Sequence, residues 1–294
     1  MITVLLFTLL AASDGPPLNL VAAGTDDYRV VIAGDKKELA AIRPDVWQGN
    51  VNILSPTGRL AGVNWPHFLM GSEGHWLTDW VESEGQQLVE FQVLVPSGRV
   101  VGYRGAWKFR DYFVSRETHR IWYDPESQMQ VHFAQTELDV LKDLPEVNAV
   151  WVEFMTQENS YSTAAAKMKD GSVATLDVSK TGLLANMHYW DGQELACGGW
   201  IAIYGTRQGQ GGCVALAPLE RTSGPIHPRV NNGHVDNIEL HVLDARKRQP
   251  LQAGQRFSLE YLLLAGPDRS DTNWIEPALA KAAVTLETLR KSEK

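Results

Sequence analysis

The chain has 294 residues, 44% of them apolar, and a formal net charge of −8. This composition suits a folded globular protein and excludes general disorder. The acidic balance, with no long Lys/Arg run, excludes the electrostatic footprint of a nucleic-acid binder, so no nucleic-acid partner is expected.

In chain order, residues 1–13, MITVLLFTLLAAS, open with an apolar run about as long as the h-region of a signal peptide. Ala11 and Ser13 supply the small residues that cleavage after Ser13 requires, although a positive n-region is missing. A buried first strand or a misplaced start codon are the alternatives. The signal reading implies a secreted or periplasmic protein. The run is too short to span a bilayer and no later span is long enough, so no transmembrane segment is expected.

Period-two alternation then dominates, with strands expected at 28–33, 50–55, 87–95, 99–109, 119–124, 129–138 and 149–157. Further strands are expected at 198–205, 213–219, 237–245 and 255–265. Turn signals such as SPTG at 55–58, PSG at 96–98 and DPES at 124–127 separate many of them. A helix is expected at about 275–291, with Pro277 in its first turn and Leu279, Ala282, Ala283 and Leu286 at helical spacing. The fold class is therefore all-β, a large antiparallel sandwich with a C-terminal helix, forming a single domain over 14–294. The two cysteines, Cys197 and Cys213, lie on one expected hairpin in a register too distant for a disulfide, and two buried free thiols are expected.

The order of motifs resembles the galactose-mutarotase-like (aldose epimerase-like) β-super-sandwich superfamily. The resemblance rests on VNILSPTGRLAGVNWPHF followed by GSEGHWLTDW, on an Arg-bearing strand and a Trp strand between residues 114 and 157, and on NIELHVLDARKRQPLQAGQRFSLEYLLL. It covers most of residues 28–265 and implies a super-sandwich fold and a carbohydrate ligand. Because that superfamily hosts epimerases, sugar-binding domains, lyases and hydrolases, the fold does not choose the activity.

Several constellations could carry chemistry. His67 and His75 lie eight residues apart among Trp65, Trp76 and Trp80, an aromatic platform beside groups that titrate near neutral pH. The alternative is a surface loop plugging one end of the sandwich. Tyr103 and Arg104 should face opposite ways on one strand. Arg104 could clamp a uronate carboxylate or stand in a surface ion pair. RETHR at 116–120 and QVH at 130–132 resemble short motifs of an alginate-lyase family, but the spacing is too short and the third motif is missing, so that match is rejected. His132, facing opposite to Val131 and Phe133, is expected to line a cleft or face solvent. Glu153 shares a face with Trp151 and Met155, which suits a general acid or base if buried, and a Glu paired with an Arg otherwise.

The polar stretch NNGHVDNIELH, with His227 and Arg229 just upstream, divides under alternation. Asn231, Asn232 and Gly233 make a turn. Ile238, Leu240 and Val242 face the core, and Glu239 and His241 face away. His234 and Asp236, two residues apart, could form a His–carboxylate pair. No third ligand at diagnostic spacing accompanies them, so no metal is expected, and no cofactor.

The functional expectation is an exported protein that acts on a sugar or a uronate-containing glycan. His67, His75, Glu153 and His234 are the candidate catalytic groups. Trp65, Trp76, Arg104, His227, Arg229 and Asp236 are the candidate substrate contacts. An epimerase would pair a His acid with Glu153 or Glu239. A lyase would set Arg or His against the uronate and use Tyr or His as base, and hydrolysis ranks last for want of a paired-acid motif. The alternatives are a non-catalytic carbohydrate-binding domain and an interaction domain of the cell envelope. The sequence sets no oligomeric state.

Overall fold

The computed structural model describes residues 15–24, 27–34, 37–43, 50–55, 58–70, 75–76, 86–156, 161–178, 187–190, 192–206, 212–219, 222, 224–232, 236–244, 247 and 249–292. Residues 1–13, expected as a signal peptide, lie outside them. In chain order the strands are β1 (Leu18–Ala22), β2 (Tyr28–Ile32), β3 (Glu38–Arg43), β4 (Asn50–Ser55), β5 (Gly58–Met70), β6 (His75–Trp76), β7 (Gln86–Val95), β8 (Ser97–Gly98), β9 (Val100–Phe109) and β10 (Phe113–Asp124). They continue with β11 (Met129–Val140), β12 (Leu144–Thr156), β13 (Tyr161–Lys167), β14 (Val173–Asp177), β15 (Met187–Tyr189), β16 (Ile201–Thr206), β17 (Cys213–Pro218), β18 (His227–Asn232), β19 (Asp236–His241), β20 (Gln249–Leu251) and β21 (Arg256–Gly266). Among the described residues one helix, α1 (Ile275–Ser292), follows.

The strands form two antiparallel sheets packed as a sandwich. The larger, twelve-stranded sheet runs β15-β18-β19-β12-β5-β4-β3-β2-β1-β8, with β20 added on β12 and β6 on β5. The other, nine-stranded sheet runs β14-β13-β16-β17-β21-β11-β10-β9-β7. The fold is all-β with a C-terminal helix, as the alternation implied.

Alternation divides each strand between two environments. On β10 and β11 the residues Phe113, Ile121, Ala134 and Leu138 face the larger sheet, where they meet two apolar clusters. One gathers Trp107, Phe113 and Leu138 with Val152, Val230, Ile238 and Leu240. The other gathers Val101, Tyr103 and Ile121 with Leu18, Leu20, Val30 and Ile42. The opposite faces of β11, β17 and β21 carry Val131, Phe133, Ala215, Leu262 and Leu264, and there Ile275, Ala282 and Leu286 of α1 cover them. Ion pairs fix the helix: Lys281 Nζ lies 2.7 Å from Asp124 Oδ1, Lys167 Nζ 2.6 Å from Glu276 Oε1, and Arg290 Nη2 2.7 Å from Glu260 Oε2.

Three local expectations are corrected. The strand expected at 198–205 begins only at Ile201, because Gly198 occupies a left-handed turn conformation (φ 67°) and Gly199 N–H closes back on the Ala196 carbonyl at 2.8 Å. Both cysteines are free, but only Cys213 is buried, and Cys197 is exposed in that turn. His132 neither lines a cleft nor faces solvent. It is buried on the inner face, cross-strand from Ile121 and Leu263, while Val131 and Phe133 point outward beneath the helix.

His132 belongs to a polar cluster where the two inner apolar clusters meet. Glu117 accepts from Ser115 Oγ at 3.1 Å and contacts His119 Nε2 at 2.9 Å. The His119 ring stacks on Tyr103 at 4.5 Å, and Gln130 Nε2 lies 2.6 Å from His132 Nε2. Burial disfavours charge here. It raises the Glu117 carboxyl and the Tyr103 and Tyr261 hydroxyls above their ordinary values. Burial, with His119 adding to it, pushes the His132 imidazole down to about 3.

The unfolded chain protonates His132 near its ordinary value of 6.5, so between that value and about 3 the unfolded state binds the extra proton and stability falls with falling pH. Glu117 acts oppositely: its contribution is lost as pH rises through its raised value. Replacing His132 by Leu, beside Ile121 and Leu263, is therefore expected to remove an acid-side slope approaching ~1.4 kcal/mol per pH unit. Urea midpoints measured from about pH 6.5 down to about pH 4 check this, and an unchanged slope refutes it.

Candidate functional site

The site grows from β19. Its residues Ile238 and Leu240 are fully buried against the sandwich core, together with Val230 of β18 and Val152 of β12. Alternation turns Glu239 and His241 to the opposite face, as expected from the sequence. They are nevertheless only 1% exposed each. Arg229 and His227, which sit across from them on β18, are buried as well.

On that face Glu239 holds two partners through one oxygen. His241 Nε2 lies 2.5 Å from Glu239 Oε2, and Arg229 Nη1 lies 3.8 Å from the same atom. An ionised carboxylate only accepts hydrogen bonds, so beside the permanently charged Arg229 the His241 Nε2–H donates to it. That contact fixes the orientation of the imidazole, the arrangement found where a histidine must move a proton. His227 is oriented by the Gln193 carbonyl oxygen, 2.8 Å from Nδ1, so Nδ1–H donates there.

Backbone register extends this site across the larger sheet. One row runs His67 of β5, Trp151 of β12, His241 and His227. The next runs Asn64, Glu153, Glu239 and Arg229. Between the rows β5 contains a β-bulge, where Trp65 and Pro66 stand opposite the single residue Val152. Proline has no N–H to give to the ladder, so NWPHF folds locally as a bulge within a long strand. The rows cross four strands, a width of about 14 Å at the usual strand spacing.

The register thus brings His67, Glu153, His227 and Arg229 onto neighbouring strands. His75 and Trp76 stand on β6, opposite Met70 and Leu69 of β5, beyond His67 along that strand. Asp236 pairs with Asn232 at the hairpin end of β19, five positions from His241, about 17 Å along an extended strand. It is not beside His67. His234 lies outside the described residues. Asn231 and Asn232, expected in a turn with Gly233, are the last residues of β18.

Arg104 is elsewhere. It lies on β9, in the nine-stranded sheet, and faces out from the sandwich, opposite in direction to Tyr103 as alternation required. It pairs with Glu90 at 2.8 Å, the surface ion pair weighed as the alternative.

Sequence reasoning read Glu239 and His241 as outward-facing but did not place His241 among the candidates. The signal was present in IELHV, where acid and imidazole fall two residues apart on one side of a strand. Only the burial of that side was missing. Among the described residues no group of three or more His, Cys, Asp or Glu side chains is placed to hold a metal ion. No helix among them is long and apolar enough to cross a membrane.

No protein family matches the chain, and no curated protein matches it either. Solved structures similar to it include a GH36 alpha-galactosidase, AgaB, from Geobacillus stearothermophilus (9% identity, TM-score 0.49, 85% of this chain and 41% of that one). Others are a TPR-domain containing protein from Parabacteroides distasonis (9%, 0.43, 85% and 47%) and the alpha-N-acetylgalactosaminidase NagBb from Bifidobacterium bifidum (12%, 0.41, 85% and 38%). The chain spans less than half the length of each, and no residue role passes to it from similarities at this level.

Proposed function

We propose that the protein acts on a carbohydrate by acid–base chemistry at the outer face of its larger sheet, in the manner of an epimerase. The observation that carries this reading is the Arg229–Glu239–His241 contact set, in register with His67, Trp151 and Glu153 on the neighbouring strands. His241 exchanges a proton with a ring or hydroxyl oxygen, and Glu239 holds its imidazole in place. Glu153 is the complementary carboxylate, and Arg229 and His227 favour an oxygen-rich ligand with anionic character. The same residues would serve a lyase if the sugar were a uronate. A framework of the galactose-mutarotase-like type and export by the leader at 1–13 complete the proposal.

The near-complete burial of Glu239 and His241 favours a second reading. In it the contact set ties β18 to β19, and the domain binds sugar without turning it over.

Two measurements separate these readings. Optical rotation across a panel of aldoses follows epimerisation, and ultraviolet absorbance with uronate polysaccharides follows lyase action. If the first reading holds, His241→Ala lowers turnover by about a hundredfold or more, while far-ultraviolet circular dichroism is unchanged. Glycan binding with no turnover in any assay leaves the second reading, and neither binding nor turnover sinks both. Independently, Glu239→Leu withdraws the carboxylate from the buried Arg229 guanidinium and is expected to cost about 3 kcal/mol of unfolding free energy, read from urea midpoints.

A further inference from the structure

The inner polar cluster contains two hydroxyls that the contacts described so far do not satisfy. Tyr103 of β9 and Thr136 of β11 are each only 1% exposed. Neither Tyr103 Oη nor Thr136 Oγ1 meets a hydrogen-bond partner among the described residues. A hydroxyl taken out of water without a partner carries the whole cost of its lost hydration. Phe and Val have nearly the same shapes and would fill the same space without that cost.

Both hydroxyls belong to the surroundings of one carboxyl. Register sets Tyr103, His119, Ala134 and Tyr261 in one inner row, and Gly105, Glu117, Thr136 and Leu259 in the next. Thr136 is therefore the direct cross-strand neighbour of Glu117. The Glu117 carboxyl acts electrostatically on the hydroxyls of Tyr103 and Tyr261, which stand on strands to either side of it. Ala134, between His119 and Tyr261, fills the least space of its row. Glu117 Oε1 accepts from Ser115 Oγ at 3.1 Å, and Oε2 lies 2.9 Å from His119 Nε2. Protonated or not, the carboxyl keeps hydrogen-bonding capacity beyond these two contacts.

We propose that this cluster is an internal hydration site, in which ordered water bridges Tyr103 Oη and Thr136 Oγ1 to the Glu117 carboxyl. A water molecule both donates and accepts, so it joins polar groups that do not meet directly. A buried water is held by about two to four polar partners, and Glu117, Thr136, Tyr103 and Tyr261 supply them. The water ties β9, β10, β11 and β21 together where the two inner apolar clusters meet. The site lies between the sheets and stands or falls independently of Glu239 and His241.

The test combines urea midpoints with nuclear magnetic relaxation dispersion of water on the full chain, which counts long-lived internal water. Tyr103→Phe and Thr136→Val are each expected to reduce the long-lived water signal and to lower the folding equilibrium constant about fivefold. The ring stack on His119 survives the first of these changes, so its loss of stability reads the hydroxyl. Thr136→Ser, which keeps the hydroxyl and drops the methyl, should retain the water signal of the parent chain. Orphaned hydroxyls predict the reverse, so an unchanged or raised midpoint in Tyr103→Phe or Thr136→Val overturns the proposal. A water signal that either of these variants leaves unchanged also overturns it, even with lowered midpoints, because the hydroxyl would then act through packing alone. Loss of the signal in Thr136→Ser overturns it as well.

Discussion

Burial of both faces of β11 at Met129–Ala134 and of β21 at Leu262–Leu264 is the constraint on which the rest of the molecule depends. Their inner residues pack against the twelve-stranded sheet and their outer residues pack beneath α1. A strand with two buried faces cannot slip by one residue without moving a polar row into an apolar layer on one side or the other. These strands set the register of β10 and β17, which flank them, and β10 sets that of β9. The inner polar cluster is a consequence of that fixed register.

Two of the buried groups of polar side chains differ in their physical chemistry. Inside the sandwich, Glu117, His119, His132 and Tyr103 lie between apolar clusters, where burial favours the neutral form of His132 and Glu117. On the outer face of the larger sheet, Glu239 lies 3.8 Å from the guanidinium of Arg229, which cannot give up its proton. The set around Glu239 joins an acid, an imidazole and a guanidinium on one face, and the functional proposal rests there.

Much of the fold was legible because a strand with one polar face advertises its period. IELHV at 238–242 read correctly, with Ile238 and Leu240 inward and Glu239 opposite. HRIWYD and MQVHF were harder. In MQVHF the apolar residues Val131 and Phe133 are the outer ones, covered by the helix, while the polar His132 is the inner one. The usual rule that the apolar side faces the sheet partner fails when a helix supplies a third layer, and nothing local to β11 announces it. AAAK at 164–167 and YST before it have too little contrast to display a strand period, so β13 was not seen. The candidate site was legible residue by residue but not as a site. The sequence separates His67, Trp151, His227 and His241 by up to 174 positions, and only the pairing of β5, β12, β19 and β18 aligns them.

The helix that completes the third layer also imposes an order in time. Val131, Phe133, Leu262 and Leu264 are translated before residue 275, so their outer faces emerge with nothing to cover them. Until α1 docks, a broad oily surface is offered to any neighbour, the condition under which nascent chains associate wrongly. The salt links from Lys281 to Asp124 and from Glu276 to Lys167 join the helix to segments made more than a hundred residues earlier. Helix α1 thus closes an adhesive flank that the two sheets cannot cover for themselves.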